Sequence, residues 1–373
     1  MCIIIRHEVI DFILPGGKHC GAQYLRRRKN MKKAIALLLV LTLVFSLSAC
    51  GKKDEGNGLI KVGIINNDPN ESGYRTANDR DLKATFTEAN GYDAQFAYSL
   101  KNDEQISFAQ KFIQDGVDYL LLSAADVAGW DSVLQDAQKE GVKVILFDRT
   151  IDADPSLYEA SIVSDMAKEG ETAVNWLKSQ NLSEYNVIHI QGVMGSAAQI
   201  GRSGALTDTA KELGWTIVAE QTAEWSATTA QQIVQGVIDA GTPFNVIYAE
   251  NDDMAKGAVA ALDKAGITHG VGKDVIVMGF DCNQWALQEL LDQNWNYDGQ
   301  CNPFQSSYIN DIIKKLEAGQ TISNKTIIMD AEFVIYRLNM VLYRKWGQIQ
   351  SLCYLFITHS LKYKFHYIQF LLG

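Results

Sequence analysis

Few side chains in this sequence are placed to do covalent chemistry. Between Leu59 and Glu332 there are two histidines, His189 and His269. His189 lies inside the apolar run "NVIHIQG", where a hydrogen-bonded core histidine is expected rather than a general base. The stretch "GITHGVGKD" (266–274) approaches a phosphate loop, but its glycine spacing is wrong and Asp274 stands where a Ser or Thr would bind magnesium. "GRSGA" (201–205) is not the G-x-S-x-G elbow of a hydrolase. Asp252 and Asp253 form a carboxylate pair, but a helical pattern follows directly, and acidic residues cap such starts. No Cys/His cluster has zinc spacing, so neither metal nor cofactor is expected. The chain does not read as an enzyme.

What remains suits holding a ligand rather than converting it. Asp148, Arg149, Arg202, Asn251 and Asp281 offer fixed donors and acceptors, while Tyr74, Trp225 and Phe280 offer flat faces. A neutral polyhydroxylated ring calls for that mixture. Each hydroxyl donates to a carboxylate and accepts from a guanidinium, and the planar fork of Arg bridges two neighbouring oxygens. Taken singly, each of these residues would be an ordinary ion pair or helix cap.

Their shared position gives them meaning. "IKVGIIN", "DAQFAYS", "DYLLLSA" and "VKVILFD" read as buried strands, with helical stretches near 74–90, 104–115 and 130–140. A second series follows Asp165: "YNVIHIQG", "WTIVAEQ", "FNVIYAE" and "DVIVMGF", again with helices between. Continuous Val/Ile/Leu runs with helical crossovers predict parallel sheets covered on both faces, here two doubly wound α/β lobes. In such sheets ligands sit beyond the carboxyl ends of the strands, where the charged, amide and aromatic residues gather.

The order "VGIINNDPNESGYR", "GW", "LFDRTID", "GR", "EW", "AENDDMAKGA", "GFD" resembles the ribose/galactose-binding proteins of bacterial ABC importers, from about Leu59 to Glu332. "ESGYR" and "FDRTID" with "NDDM" are most similar to the galactofuranose-binding branch. The resemblance implies the type I periplasmic-binding fold: two Rossmann-like lobes joined by three crossovers, near Ile162, Cys301 and Ile328. The expected lobes are 59–162 with 302–327, and 163–301 with 328–332. It also implies a ligand set of Glu71, Tyr74, Arg75, Asp148 and Arg149 from the first lobe. Arg202, Trp225, Asn251, Asp281 and Gln300 would close on the sugar from the second. Cys282 stands where the family more often has Gly, and with Cys301 it is a candidate disulfide or a pair of buried thiols. The implied partners are a monosaccharide and an ABC permease with its ATPase, the binding protein itself being a monomer. A sensory receptor of the same fold, presenting sugar to a membrane kinase or chemoreceptor, is the alternative. A repressor effector domain would need a helix-turn-helix, and the signal sequence also argues against it.

The chain ends set the expected location. Lys32 and Lys33, the uncharged stretch 34–49 and the tetrapeptide Leu47-Ser48-Ala49-Cys50 have the plan of a secretory signal. The tetrapeptide resembles the lipobox of bacterial lipoproteins, which implies cleavage before Cys50 and its lipidation. At 16 residues that stretch is shorter than the ~20 a spanning helix needs. Residues 31–49 are read as a lipoprotein signal, 50–58 as a tether, and 1–30 as translated leader ahead of the true start, Met31. Residues 333–373 hold no Asp or Glu and are read as an aberrant tail outside the fold. Both flanks are basic, yet the whole chain carries 34 Lys+Arg against 44 Asp+Glu, so the acidic surplus lies in the middle. That balance argues against nucleic acid as partner. The expected site of action is extracytoplasmic, lipid-anchored at the outer face of the bacterial cell membrane or periplasmic.

Overall fold

The computed structural model describes residues 58–329, with the backbone of two-residue strands at Ile4–Ile5, Glu8–Val9 and Val334–Ile335. The rest of the leader, the signal, Cys50 and the tail beyond Ile335 lie outside the described residues. The chain divides at Gly58, and the unit from Leu59 onward contains both large sheets.

The apolar runs form the strands of these sheets. In the first lobe they are β1 (Ile60–Asn66), β2 (Tyr92–Tyr98), β3 (Tyr119–Leu122), β4 (Lys143–Asp148) and β5 (Ala160–Val163). In the second they are β6 (Asn186–Gln191), β7 (Thr216–Thr222), β8 (Val246–Ala249), β9 (Ile276–Phe280) and β10 (Tyr297–Gly299). The chain then returns to the first sheet with β11 (Thr326–Ile328), and β12 (Val334–Ile335) joins the second. The sheet orders are β11-β5-β4-β3-β1-β2 and β12-β10-β9-β8-β6-β7. Each lobe thus repeats one doubly wound order, 2-1-3-4-5, with its switch point beside the first strand. All these pairings are parallel except β12 on β10, where Gly299 faces Val334 and Asp298 faces Ile335.

Side chains on these strands are buried alternately on both faces, which is why the runs are apolar throughout. Val62, Ile64 and Leu121 enter one core with Phe147; Ile65, Leu120 and Leu122 enter the opposite one with Trp130. The second sheet divides the same way, with Ile188, Ile247 and Val277 on one side and Val187, Val246 and Met278 on the other. The crossover helices are α1 (Gly73–Thr85), α2 (Asn102–Gln114) and α3 (Asp131–Glu140) in the first lobe. Those of the second are α4 (Met166–Ser179), α5 (Ala197–Leu213), α6 (Ala227–Asp239), α7 (Asp252–Ala265) and α8 (Gln284–Leu291). The last, α9 (Ser306–Glu317), brings Ile309, Ile312 and Ile313 back into the first lobe's core.

Helix starts matter here because they follow the strand ends. Ser72, Asp165, Ser196, Ser226 and Asn251 each accept the amide three residues on and cap α1, α4, α5, α6 and α7. The caps of α1 and α7 thereby hold Ser72 and Asn251 at the cavity wall.

Candidate functional site

Nine of the ten predicted ligand residues line one cavity: Glu71, Tyr74, Arg75, Asp148, Arg149, Arg202, Trp225, Asn251 and Asp281. They come from both lobes, at the carboxyl ends of β1 and β4 on one side and around β7, β8, β9 and α5 on the other. Ser72, Met166, Ala198 and Cys301 complete the wall.

On the first lobe everything converges on Asp148. Its Oδ2 accepts from Arg75 Nη2 at 2.8 Å and Ser123 Oγ at 2.8 Å, and its Oδ1 from the Tyr74 hydroxyl at 2.7 Å. Burial alone would push this carboxyl up, but Arg75, Arg149 and the two hydroxyl donors hold it below its ordinary value. Arg75 also donates through Nη1 to Asn66 Oδ1 at 2.8 Å and Asn78 Oδ1 at 3.2 Å. Its fork is committed inside the lobe, so Arg75 fixes Asp148 more than it reaches into the cavity. Arg149 is held loosely: Nε is 3.6 Å from Asp148 Oδ2 and Nη2 is 3.8 Å from Glu71 Oε1. Burial and the neighbouring Arg75 lower its pKa, while burial raises that of Glu71. Glu71 Oε2 is buried with no hydrogen-bond partner.

Arg202 plays the corresponding part on the second lobe. Its Nε donates to Glu169 Oε2 at 2.8 Å, Nη1 donates to the Glu250 carbonyl, and Nη2 stands 3.5 Å from Asp281 Oδ1. Burial raises the Asp281 pKa well above the ordinary carboxylate value in spite of Arg202. Trp225 is 3% exposed, and its indole Nε1 has no partner. Gly192 lies beneath the indole, and any side chain there would occupy the ring's space. Across the cleft the Arg149 guanidinium sits 5.7 Å from the indole centroid. Asp148, Trp225 and Asp281 all have left-handed backbone, with φ of 64°, 66° and 109°. Such conformations cost about 1–3 kcal/mol each and gather at functional sites.

Two expectations are corrected. Gln300 is half-buried and does not line the cavity; its neighbour Cys301 does, because side chains alternate on leaving β10. Phe280 is fully buried in the core, with the Arg202 guanidinium 4.7 Å from its ring centroid, and presents no face to the cavity. Of the two alternatives for Cys282 and Cys301, the structure has the buried thiols and not the disulfide, Cys282 Sγ reaching the Asp298 carbonyl and Cys301 Sγ reaching Ser164 Oγ. Sequence reasoning also missed the supports behind the wall. Asn78 Nδ2 donates to Gln305 Oε1, and Gln305 Nε2 to the Tyr74 hydroxyl, so the returning segment before α9 braces the first lobe's site. His189 is the core histidine expected, its Nε2 2.9 Å from Glu250 Oε1.

Two doubly wound lobes whose switch points face one cavity have the architecture of the two-lobed solute-binding proteins. The chain belongs to the periplasmic binding protein domain family, which residues 62–320 match. It is 30% identical over 318 residues to the fructose import binding protein FruE of Bifidobacterium longum, covering 82% of this chain and 95% of that one. It is 28% identical over 262 residues to the galactofuranose-binding protein YtfQ of Escherichia coli, covering 68% and 81%. A solved structure from Mycobacterium smegmatis in complex with β-D-fucofuranose is 29% identical, with a TM-score of 0.69 over 77% of this chain and 95% of that one.

Proposed function

We propose that this protein is an extracytoplasmic receptor that captures a monosaccharide in its furanose form and delivers it to an ABC permease. The lipid on Cys50 would hold it at the membrane. The observation that carries the reading is the wall itself. Arg149, Asp148 and Glu71 face Arg202, Asp281 and Asn251 across one small cavity, with the Trp225 indole on one side. Both lobes close round this wall, which suits a ligand of about one ring.

In this reading the anionic Asp148 and the Arg149 fork clamp neighbouring hydroxyls, and Arg202, Asn251 and Asp281 take those on the opposite edge. Ring hydroxyls would give Trp225 Nε1 an acceptor and Glu71 Oε2 a donor, partners that these buried atoms lack in the protein. Affinity would come from closing two rigid lobes on the ring, with no covalent step. The galactofuranose and fucofuranose of the relatives support the ring form.

Calorimetry of the full-length chain with D-galactose, D-fructose, L-arabinose, D-ribose and D-glucose tests this. At least one of the first four, which populate furanose forms in water, should bind tightly, and glucose, which scarcely does, should not. Binding of none of them overturns the sugar reading. Glucose binding as well as the rest overturns the ring form.

A further inference from the structure

The two lobes meet at both edges of the cavity, and each meeting point is a glycine of one lobe against a short polar side chain of the other. Gly73, the first residue of α1, faces Asn283 in the loop after β9. A Cβ on Gly73 would stand 2.9 Å from Asn283 Cγ and closer still to its Oδ1. At the opposite edge Gly195, after β6, faces Asp126 of the first lobe, whose Cγ would lie 2.9 Å from an added Cβ. A main-chain amide bonds across each seam: Gly73 N donates to the Asp253 side chain at Oδ2, 2.9 Å away, and Val127 N donates to the Gly195 carbonyl at 3.1 Å.

The polar side chains cannot easily give way. Asn283 is pinned by Asp252, whose Oδ2 accepts both its backbone N–H at 2.8 Å and its side-chain Nδ2 at 3.0 Å. Asp126 accepts the Ala128 amide at 2.9 Å. The Asp253 carboxylate also satisfies an amide of the first turn of α1, a group that no carbonyl of its own helix can reach, and an anion there is favoured by the helix dipole. The helix so fastened is the one that carries Tyr74 and Arg75 to the site.

We propose that Gly73 is a positioning residue for sugar capture: its missing side chain is the socket that lets the lobes seat on Asn283, and Asp253 latches them there. The inference rests on the sugar-capture reading. A side chain at Gly73 would hold the lobes apart and weaken binding without touching the sugar.

The test is a double-mutant cycle on the full-length chain, read as affinity for whichever sugar of the panel binds tightest. The φ of Gly73 is not in the left-handed region, and Ala is the better helix former, so Gly73→Ala leaves α1 itself sound. It should weaken binding roughly tenfold or more in the parent but less than about threefold in an Asn283→Ala background, the signature of a direct contact. An equal loss in both backgrounds, or none in the parent, overturns the proposal. Hydrogen exchange at saturating sugar reads the latch apart from affinity: the Gly73 amide should exchange slowly in the parent and fast in Asp253→Ala, and fast exchange in both overturns the latch. Failure of every sugar to bind the parent overturns the sugar reading, whereas binding with no coupling in the cycle overturns the socket alone.

Discussion

Asp148 and Arg149 are neighbours in the chain with opposite duties, and substitution should separate them. Asp148 balances the buried Arg75 and accepts three hydrogen bonds within its lobe. Removing it strands that guanidinium, so Asp148→Ala should cost about 3–5 kcal/mol of stability in denaturant unfolding. The Arg149 side chain has only contacts of 3.3 Å and longer. Arg149→Ala should leave the unfolding midpoint nearly unchanged while weakening sugar binding by about 2–5 kcal/mol in calorimetry. A second residue-scale prediction concerns Asp252 and Asp298, buried carboxyls of the second lobe. Asp252 Oδ1 and Asp298 Oδ2 have no donor in the protein. Burial raises both, Asp298 to about 8, so the folded chain keeps a proton that the unfolded chain releases near pH ~4. The stability this proton adds is greatest at low pH. It should decline by about 1.4 kcal/mol per unit as pH rises from about 4 towards 8, and level off above. Asp298→Asn should flatten that slope in denaturant titrations run across the range.

At the scale of elements, the central strands bear the load. Leu121 on β3 is fully buried between β1 and β4, so Leu121→Ala should cost about 2–5 kcal/mol, measured as a lower urea midpoint with unchanged slope. These strands are legible in the sequence because a run buried on both faces must be apolar at every position, and the helices because their caps and period are local. The strand-end rule, joined to the family resemblance, then brings nine side chains to one cavity. It fails where the answer depends on which way a side chain leaves its strand: Gln300 and Phe280 sit next to the wall but turn from it. Nor does it reveal that Arg75 is braced through Asn78 and Gln305, since that contact joins residues more than 200 positions apart. The socket at Gly73 is equally hidden, because it is defined by the absence of an atom against a loop of the other lobe.

At the scale of the whole molecule, attachment and architecture are separate. No helix among the described residues is long and apolar enough to cross a membrane, and the anchoring proposed above is through Cys50. Cys50→Ser should move the protein from the membrane fraction to the soluble one, with sugar affinity unchanged. Architecture has its own outcome in time. The second lobe draws β6 to β10 from one unbroken stretch, 186–299, and adds only the edge strand β12 later. The first lobe begins at Ile60 yet needs α9 and β11, which end at Ile328. As the chain emerges from its N-terminus, the lobe started first must therefore finish after most of the other. Residues 60–163 wait as an open half-structure while their successors fold, and the bracing of Tyr74 and Asn78 by Gln305 is among the last pieces to arrive.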